Sequence, residues 1–100
     1  MENIKALLEE ILTEVFKNND KLTDEEGYTF IEVNKDEFLK LFEDSNLEEL
    51  VLGDMEGFEI HDMGVLVVDM LEELELAECS LVSDGSSYVI YPYEALEHLL

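Results

Sequence analysis

The stretch ECSLVSDGSSYVIY, residues 78–91, gives the clearest local signal for the fold. Residues 78–82 and 88–91 are rich in β-branched, aromatic and other apolar side chains, which favours strands. Between them lies SDGSS, in which Gly85 can adopt the positive φ that hairpin turns require. The stretch therefore predicts a β-hairpin with its turn at residues 83–87.

Helices are predicted on both sides of this hairpin. Pro92 is tolerated at a first helical position, so we expect a short helix over residues 93–100. Before the hairpin, Asp62 is placed as the N-cap of a helix over residues 63–74. The apolar residues of that helix recur at steps of three and four, which gives it one inward face: Leu66, Val67, Met70, Leu71 and Leu74.

The first half of the chain predicts helix, strand and helix in turn. Apolar residues spaced by three and four indicate an amphipathic helix over residues 3–17. Residues 28–33 are β-branched and aromatic, which predicts a strand. Asn34 and Glu37 then form a capping pair, which opens a helix through about residue 43.

The middle of the chain leaves two alternatives open. Ser45 and Glu48 repeat the capping pattern and indicate a short helical turn over residues 46–50. A strand over residues 50–52 is the alternative, and the sequence does not choose between them.

The remaining segments are interpreted as connections. Residues 20–27 form a polar connector, the pairs at 53–54 and 56–57 predict turns because each contains glycine, and residues 58–60 alternate like a short strand. The whole pattern predicts one small α+β domain, with an N-terminal amphipathic helix, a short sheet, a C-terminal hairpin and a short final helix.

Negative charge is extreme and unevenly distributed. The formal net charge is −22, and all five lysines lie in the first forty residues, so the last sixty carry sixteen acids and no basic residue. The densest run is EDSNLEELVLGDMEGFEIHD, residues 43–62, with eight carboxylates. Such a charge repels nucleic acids and anionic membranes and attracts cationic partners.

Cysteine and histidine offer little chemistry. Cys79 is alone and lies beside Glu78, without the positive surroundings that activate a thiolate, so we expect a small buried residue. His61 and His98 do not show the spacing of zinc ligands, and we expect both to be turn or surface residues. The tyrosines at 88, 91 and 93 are expected in the core and in hairpin pairing, with a protein interface as the alternative.

The acidic residues do not form a recognisable metal or catalytic motif. With Gly27 as the sixth position of a calcium loop, the first ligand would be Leu22, so the EF-hand pattern fails. Carboxylate pairs suitable for a glycosidase are so abundant here that their spacing has no diagnostic value. We therefore expect a non-enzyme, with no catalytic residues, no metal and no cofactor.

The location expected from sequence is the cytoplasm. The beginning, MENIKALLEE, has acids where a secretion signal has a cationic start and an unbroken apolar run. No uncharged stretch approaches the roughly 20 residues of a membrane span.

Residues 67–92, VVDMLEELELAECSLVSDGSSYVIYP, resemble the end of a winged-helix domain, in which a helix precedes a two-stranded wing. In DNA-binding members this helix and wing are expected to carry Lys or Arg for phosphates. Here the corresponding segments carry only acids: Asp69, Glu72, Glu73, Glu75, Glu78 and Asp84. The departure excludes direct nucleic-acid binding.

In size, acidity and folded composition the chain also resembles the DNA-mimic inhibitors of phages and mobile elements, of the antirestriction and anti-CRISPR kinds. The segment FEIHD, residues 58–62, is similar to acidic Ile-x-Asp segments of antirestriction proteins. Helical carboxylates three or four residues apart have Cβ atoms ~5–6 Å apart, a spacing that can imitate a row of phosphates. The predicted partner-binding residues are Glu43, Asp44, Glu48, Glu49, Asp54, Glu56, Glu59, Asp62, Asp69, Glu72 and Glu73.

The resemblance implies an inhibitor that occupies the basic groove of a nucleic-acid-binding protein, such as a host nuclease, in the host cytoplasm. The alternative is an acidic protein–protein adaptor or assembly factor on a winged-helix scaffold, with homodimerisation through an amphipathic helix.

Overall fold

The computed structural model describes residues 2–54 and 62–99, and their elements make an α+β arrangement as predicted. In chain order the elements are α1 (Glu2–Asn18), β1 (Leu22–Thr23), β2 (Thr29–Asn34), α2 (Lys35–Glu43), α3 (Leu47–Asp54), α4 (Met63–Glu73), β3 (Ala77–Leu81), β4 (Ser87–Pro92) and a final 3-10 helix, η1 (Glu94–Leu99).

An antiparallel sheet in the order β1–β2–β4–β3 joins the two halves of the chain. The predicted hairpin is confirmed as β3 and β4, and Gly85 has φ +75° in its turn. Ile90 lies opposite Ile31 on one side and Cys79 on the other, and all three side chains are buried. Because side chains alternate along a strand, one face of the sheet meets the core and the other is open.

The core lies between the sheet and the helices. Phe16 of α1, Phe38 and Phe42 of α2 and Leu71 of α4 are at most 2% exposed. Phe38 and Phe42 meet edge to face, with ring centroids 4.9 Å apart. Within the described ranges no polar or charged side chain is buried, so every described carboxylate reaches the surface.

The helix N-caps predicted at Asn34 and Asp62 are confirmed. The side chain of Asn34 accepts a hydrogen bond from the N–H of Glu37 at 3.0 Å. Asp62 Oδ1 accepts from the N–H groups of Gly64 and Val65 at 2.7 and 3.2 Å. These bonds satisfy N–H groups that have no partner within the helix.

The alternative left open in the middle of the chain is decided in favour of helix. Residues 50–52 lie within α3, which continues through Gly53, so the predicted turn at 53–54 is wrong. Leu47 and Val51, four residues apart, are fully buried, and their packing extends the helix past a glycine that alone would favour a turn. The turn predicted at 56–57, the strand predicted at 58–60 and His61 lie outside the described residues.

Pro92 ends β4 and does not open the final helix, which is a 3-10 helix from Glu94. A strand tolerates proline here because Pro92 faces Ala77 while the neighbouring N–H of Tyr93 donates to the carbonyl of Leu76 at 3.0 Å. The pairing of β4 with β2 stops at Ile90, so the N–H that proline lacks is not needed on that side either.

The predicted polar connector at residues 20–27 contains a short strand. Leu22 and Thr23 pair with Phe30 and Thr29, so β1 and β2 form a second hairpin. Among the helices of residues 2–54 and 62–99, none has the length and apolar character needed to cross a membrane.

Candidate functional site

The acidic residues predicted to bind a partner are exposed wherever the structure describes their side chains: Glu43, Asp44, Glu48, Glu49, Asp62, Asp69, Glu72 and Glu73. Asp54 is the last residue of α3, and Glu56 and Glu59 lie outside the described residues. Seven of the exposed residues fall into two groups, one at the junction of α2 and α3 and one along α4, and Asp62 caps the start of α4.

The first group, here called the α2–α3 corner, consists of Glu43, Asp44, Glu48 and Glu49 around a shallow depression. Leu52 also lines it and is 49% exposed. Carboxylates beside an exposed apolar side chain can attract a cationic surface and then pack against it.

Ser45 holds the turn of this corner. Its hydroxyl donates to the carbonyl of Phe42 at 2.5 Å and accepts from the N–H of Leu47 at 3.2 Å. These two bonds hold the turn that leads into α3. Glu48 and Glu49 lie in the first turn of this helix, where the helix dipole favours acids.

The second group is the outer row of α4, formed by Asp69, Glu72 and Glu73. The three side chains are exposed, and their spacing of three and four residues places them on neighbouring positions of the helix surface. No basic residue lies in the last turn of α4, although the negative end of the helix dipole favours cations there.

The end of α4 is unusual in a second respect. The N–H of Leu76 donates to the carbonyl of Leu71 at 2.9 Å, and the N–H of Glu75 donates to that of Glu72 at 3.0 Å. This is the Schellman motif, which places Glu75 in the left-handed region at φ 56°. Glycine is usual there, since a Cβ atom makes this conformation unfavourable. The chain thus keeps an acidic side chain where both backbone strain and the dipole oppose it.

A third region, which we call the tyrosine pocket, was not predicted from the sequence. It is an open cavity of about 570 Å³ between the β1–β2 turn, the outer face of β3 and β4, and η1. Its lining includes three aromatic and four acidic side chains: Tyr28, Tyr91, Tyr93, Asp24, Glu78, Glu94 and Glu97.

Asp24 organises one wall of the tyrosine pocket. Its Oδ1 accepts hydrogen bonds from the N–H groups of Glu26 and Tyr28, each at 2.9 Å, and its Oδ2 accepts from the hydroxyl of Tyr91 at 3.1 Å. Desolvation by itself would raise the pKa of this carboxyl. These hydrogen bonds, together with one from the backbone of Gly27, outweigh desolvation, so the pKa of Asp24 is lowered. Asp24 therefore ties the β1–β2 turn to the central strand β4.

The other walls place acidic side chains near Tyr91 and Tyr93. Tyr91 lies opposite Glu78 in the sheet, and its ring packs on Phe30 with centroids 5.1 Å apart. Desolvation, the hydrogen bond to Asp24 and nearby carboxylates raise the pKa of Tyr91. Desolvation, followed by the charges of Glu78 and other acids, also raises the pKa of Tyr93.

The core position expected for the tyrosines is confirmed for Tyr88, which is 4% exposed, and the hairpin pairing is confirmed for Tyr88 and Tyr91. Strand alternation could have predicted that Tyr88 and Tyr91 lie on opposite faces of the sheet, because they are three residues apart on β4. No sequence signal joins residues 24–29 to residues 78–97, so the pocket itself depends on the pairing of the two hairpins.

The described cysteine and histidine side chains lie where the sequence placed them. Burial, and then the charge of Glu78, raises the pKa of the Cys79 thiol to about 12, so Cys79 is the inert buried residue that was expected. His98 is exposed on η1, also as expected. Across residues 2–54 and 62–99, no three His, Cys, Asp or Glu side chains are grouped so that they could hold a metal ion.

No family model matches the chain, and comparison with curated proteins and with solved structures finds no match. Inference about function therefore starts from the charge and shape of the three surface regions.

Proposed function

We propose that this protein is an inhibitor that binds the basic, nucleic-acid-binding surface of another protein by presenting carboxylates in place of phosphates. The observation that carries the proposal is the outer row of α4. Asp69, Glu72 and Glu73 point outward from one helix, whose last turn contains no basic residue.

A surface that served only solubility would not need this arrangement, because charges of either sign at any exposed position keep a protein in solution. Acids in the last turn of a helix and an acid in the left-handed region both oppose stability. Features that oppose stability often accompany function, since the rest of the structure must compensate for them.

The spacing of the outer row is compatible with phosphate imitation. Helical residues three or four apart have Cβ atoms ~5–6 Å apart, and a DNA strand carries one charge per ~3.4 Å of its axis. Flexible Glu side chains can adjust their carboxylates to cationic groups spaced for phosphates. Val65, four residues before Asp69 and 60% exposed, adds an apolar contact on the same side of the helix.

The mechanism has an electrostatic and an apolar part. The field of a chain with net charge −22 accelerates encounter with a cationic groove, and this acceleration weakens as salt screens it. Exposed apolar groups beside the acids, Leu52 at the α2–α3 corner and Val65 on α4, then slow dissociation.

The test is capture of a partner from a lysate of the organism that encodes the protein, with release challenged by duplex DNA. DNA should release the partner, and its affinity should fall by roughly tenfold or more between about 50 and 300 mM salt, as for a contact of several phosphate sites. An affinity that stays constant over this range contradicts the proposal.

A charge-matched pair of variants locates the surface. Asp69→Lys/Glu72→Lys/Glu73→Lys on α4 should abolish capture, whereas Glu2→Lys/Glu10→Lys/Glu14→Lys on the exposed side of α1 changes the net charge equally. The α1 variant should retain binding with a slower association rate. Equal losses in both would show that only total charge matters, which contradicts a phosphate-like row.

The second candidate is an acidic adaptor or assembly factor on a winged-helix scaffold. The strand order supports it, because the hairpin that follows α4 joins β2, the strand that precedes α2. An adaptor's partner should remain bound in excess DNA, and sedimentation would reveal self-association if the adaptor works as a homodimer.

A further inference from the structure

We infer that the tyrosine pocket binds an arginine side chain presented by the partner protein. The inference rests on the proposed function, since it supplies the specific contact that a diffuse acidic surface lacks. It also places that contact outside the acids predicted from the sequence, on the outer face of the sheet.

The aromatic lining suits a planar cation. The faces of tyrosine rings attract ammonium and guanidinium groups, and guanidinium also stacks on them. Tyr28 is 62% exposed and Tyr91 and Tyr93 are partly exposed, so all three rings are accessible from solvent. No lysine lines the pocket, and the chain contains no arginine that could fill it.

The acids of the pocket supply the complementary charge. Glu78, Glu94 and Glu97 lie along its β3 and η1 sides, and Asp24 lies at the β1–β2 turn. Asp24 already accepts three hydrogen bonds, whereas guanidinium offers a planar fork of donors that matches a free carboxylate. The glutamates are therefore the acceptors we assign to the ligand.

Contacts within the protein hold Tyr91 and Tyr93 in place. The hydroxyl of Tyr91 is held by Asp24, its ring is supported by Phe30, and Tyr93 is anchored through its N–H to the carbonyl of Leu76. Groups held in place lose little entropy on binding, which favours a discrete site over a loose surface contact.

Charge and size both point to a protein side chain as the occupant. A phosphate-bearing nucleic acid or an anionic membrane would meet four carboxylates and be repelled. A cavity of about 570 Å³ accommodates an extended arginine together with part of the backbone that carries it. Arginine is favoured over lysine because its flat, weakly hydrated cation can stack and bond at the same time.

The test is an NMR titration of the ¹⁵N-labelled full chain with N-acetyl-arginine amide, a probe with one charge and no free termini. Shift changes should concentrate at residues 24–29, 78–80 and 91–97. N-acetyl-citrulline amide has nearly the same shape without the charge and should bind far more weakly. Equal affinity for the two probes, or shifts spread evenly over the acidic surface, would overturn the inference.

Variants separate the pocket from general attraction. Glu78→Gln/Glu97→Gln should weaken the arginine probe by about fivefold or more, whereas the charge-matched Glu48→Gln/Glu49→Gln at the α2–α3 corner should change it by less than about twofold. Tyr28→Leu should weaken it by about two- to fivefold, the usual contribution of one exposed cation–π contact. Equal effects of the two charge variants would contradict a specific site.

Tyr28→Leu should keep the fold, because the hydrogen bonds of Tyr28 to Asp24 use its backbone. Unchanged thermal unfolding would confirm this. If the arginine probe binds but no captured partner is released by DNA, the proposed function fails and the pocket stands. If the probe does not bind while reversal of the α4 acids still breaks a DNA-sensitive complex, only the pocket fails.

Discussion

Helix α2 ends at Glu43 and has one basic residue, Lys40, in its last turn, whereas α4 ends at Glu73 and has none. Beyond the end of α4, Glu75 lies in the left-handed region. Both helices begin with a side-chain cap, from Asn34 and Asp62. Both ends carry acids, Glu43 in α2 and Glu73 in α4, but only α2 also places a cation near the negative end of its dipole. Selection for stability alone would favour the α2 pattern in both.

The two helices also meet the same core residue differently. The ring of Phe38 on α2 lies 5.5 Å from that of Tyr88, whereas α4 approaches Tyr88 with Gly64. A Cβ atom at Gly64 would lie 2.7 Å from the Tyr88 hydroxyl oxygen and 3.0 Å from Asp62 Oδ1. The start of α4 is therefore close-packed, while its end is exposed and strained.

The largest expected effect comes from breaking that close approach. Gly64→Ala should lower the free energy of unfolding by about 1–3 kcal/mol, because a methyl group must displace a buried ring or the capping carboxylate. Urea unfolding measures the change. Gly53→Ala is the control: it lies in α3 with open space around it, so it should stabilise by up to about 1 kcal/mol.

A double variant identifies the clash. In a Tyr88→Phe background the hydroxyl oxygen is absent, so Gly64→Ala should cost clearly less than in the parent. An unchanged cost would assign the effect to the displaced Asp62 cap.

The next effect tests the end of α4. Glu75→Gly should raise the free energy of unfolding by about 1 kcal/mol, because glycine adopts φ near 56° without the Cβ conflict. Thermal and urea unfolding both report it. Glu75→Gln removes the charge but keeps the backbone strain, so it should give only part of the stabilisation expected for Glu75→Gly. Equal gains would attribute the whole effect to charge.

A smaller effect follows from exchanging the two helix ends. Glu73→Lys should stabilise by about 0.3–1 kcal/mol, and Lys40→Glu in α2 should destabilise by a similar amount, since each change reverses the interaction with the dipole. Both effects should shrink in several hundred millimolar salt. Effects of the same sign in both helices would contradict the comparison. Glu73→Lys should also slow association with the partner, as stability and binding would oppose each other at this residue.

The smallest expected effect concerns the pKa of Asp24, a carboxylate that accepts hydrogen bonds within the protein. Asp24 has a pKa below its ordinary value of 3.8, so its ionised form stabilises the fold above about pH 3.8, and this contribution is lost as the pH falls through the lowered value. Tyr91→Phe removes one of its donors and should move the pKa upward, though not fully, because the backbone donors of Glu26 and Tyr28 remain. Carboxyl ¹³C shifts followed against pH measure it, and an unmoved pKa would show that the 3.1 Å contact has no effect.

Local signals predicted most of the fold. The caps at Asn34 and Asp62 and the turn around Gly85 are set by neighbouring residues, so each could be inferred from a short stretch. Gly53 was misassigned as a turn because the cause of its helical state, the buried packing of Leu47 and Val51, involves distant parts of the chain. Pro92 was misassigned because its tolerance in β4 depends on where pairing with β2 ends.

The candidate site divides in the same way. That the acids of α4 are exposed could be predicted, since charged residues between periodic apolar ones must face solvent. The left-handed conformation of Glu75 could not be predicted, because it depends on the burial of the next residue, Leu76, in the core. The tyrosine pocket could not either, since Tyr28 and Tyr91 meet only through the pairing of two hairpins distant in sequence.

Cys79 gives the protein a built-in reporter of opening. It is the single cysteine of the chain, its side chain faces the core from β3, and its thiol has a pKa of about 12. An alkylating reagent can therefore react only when β3 separates from the core, so the labelling rate measures how often the sheet opens. A bound partner or arginine probe that holds β3 in place would slow this labelling, which provides a binding assay that needs no substitution in the chain.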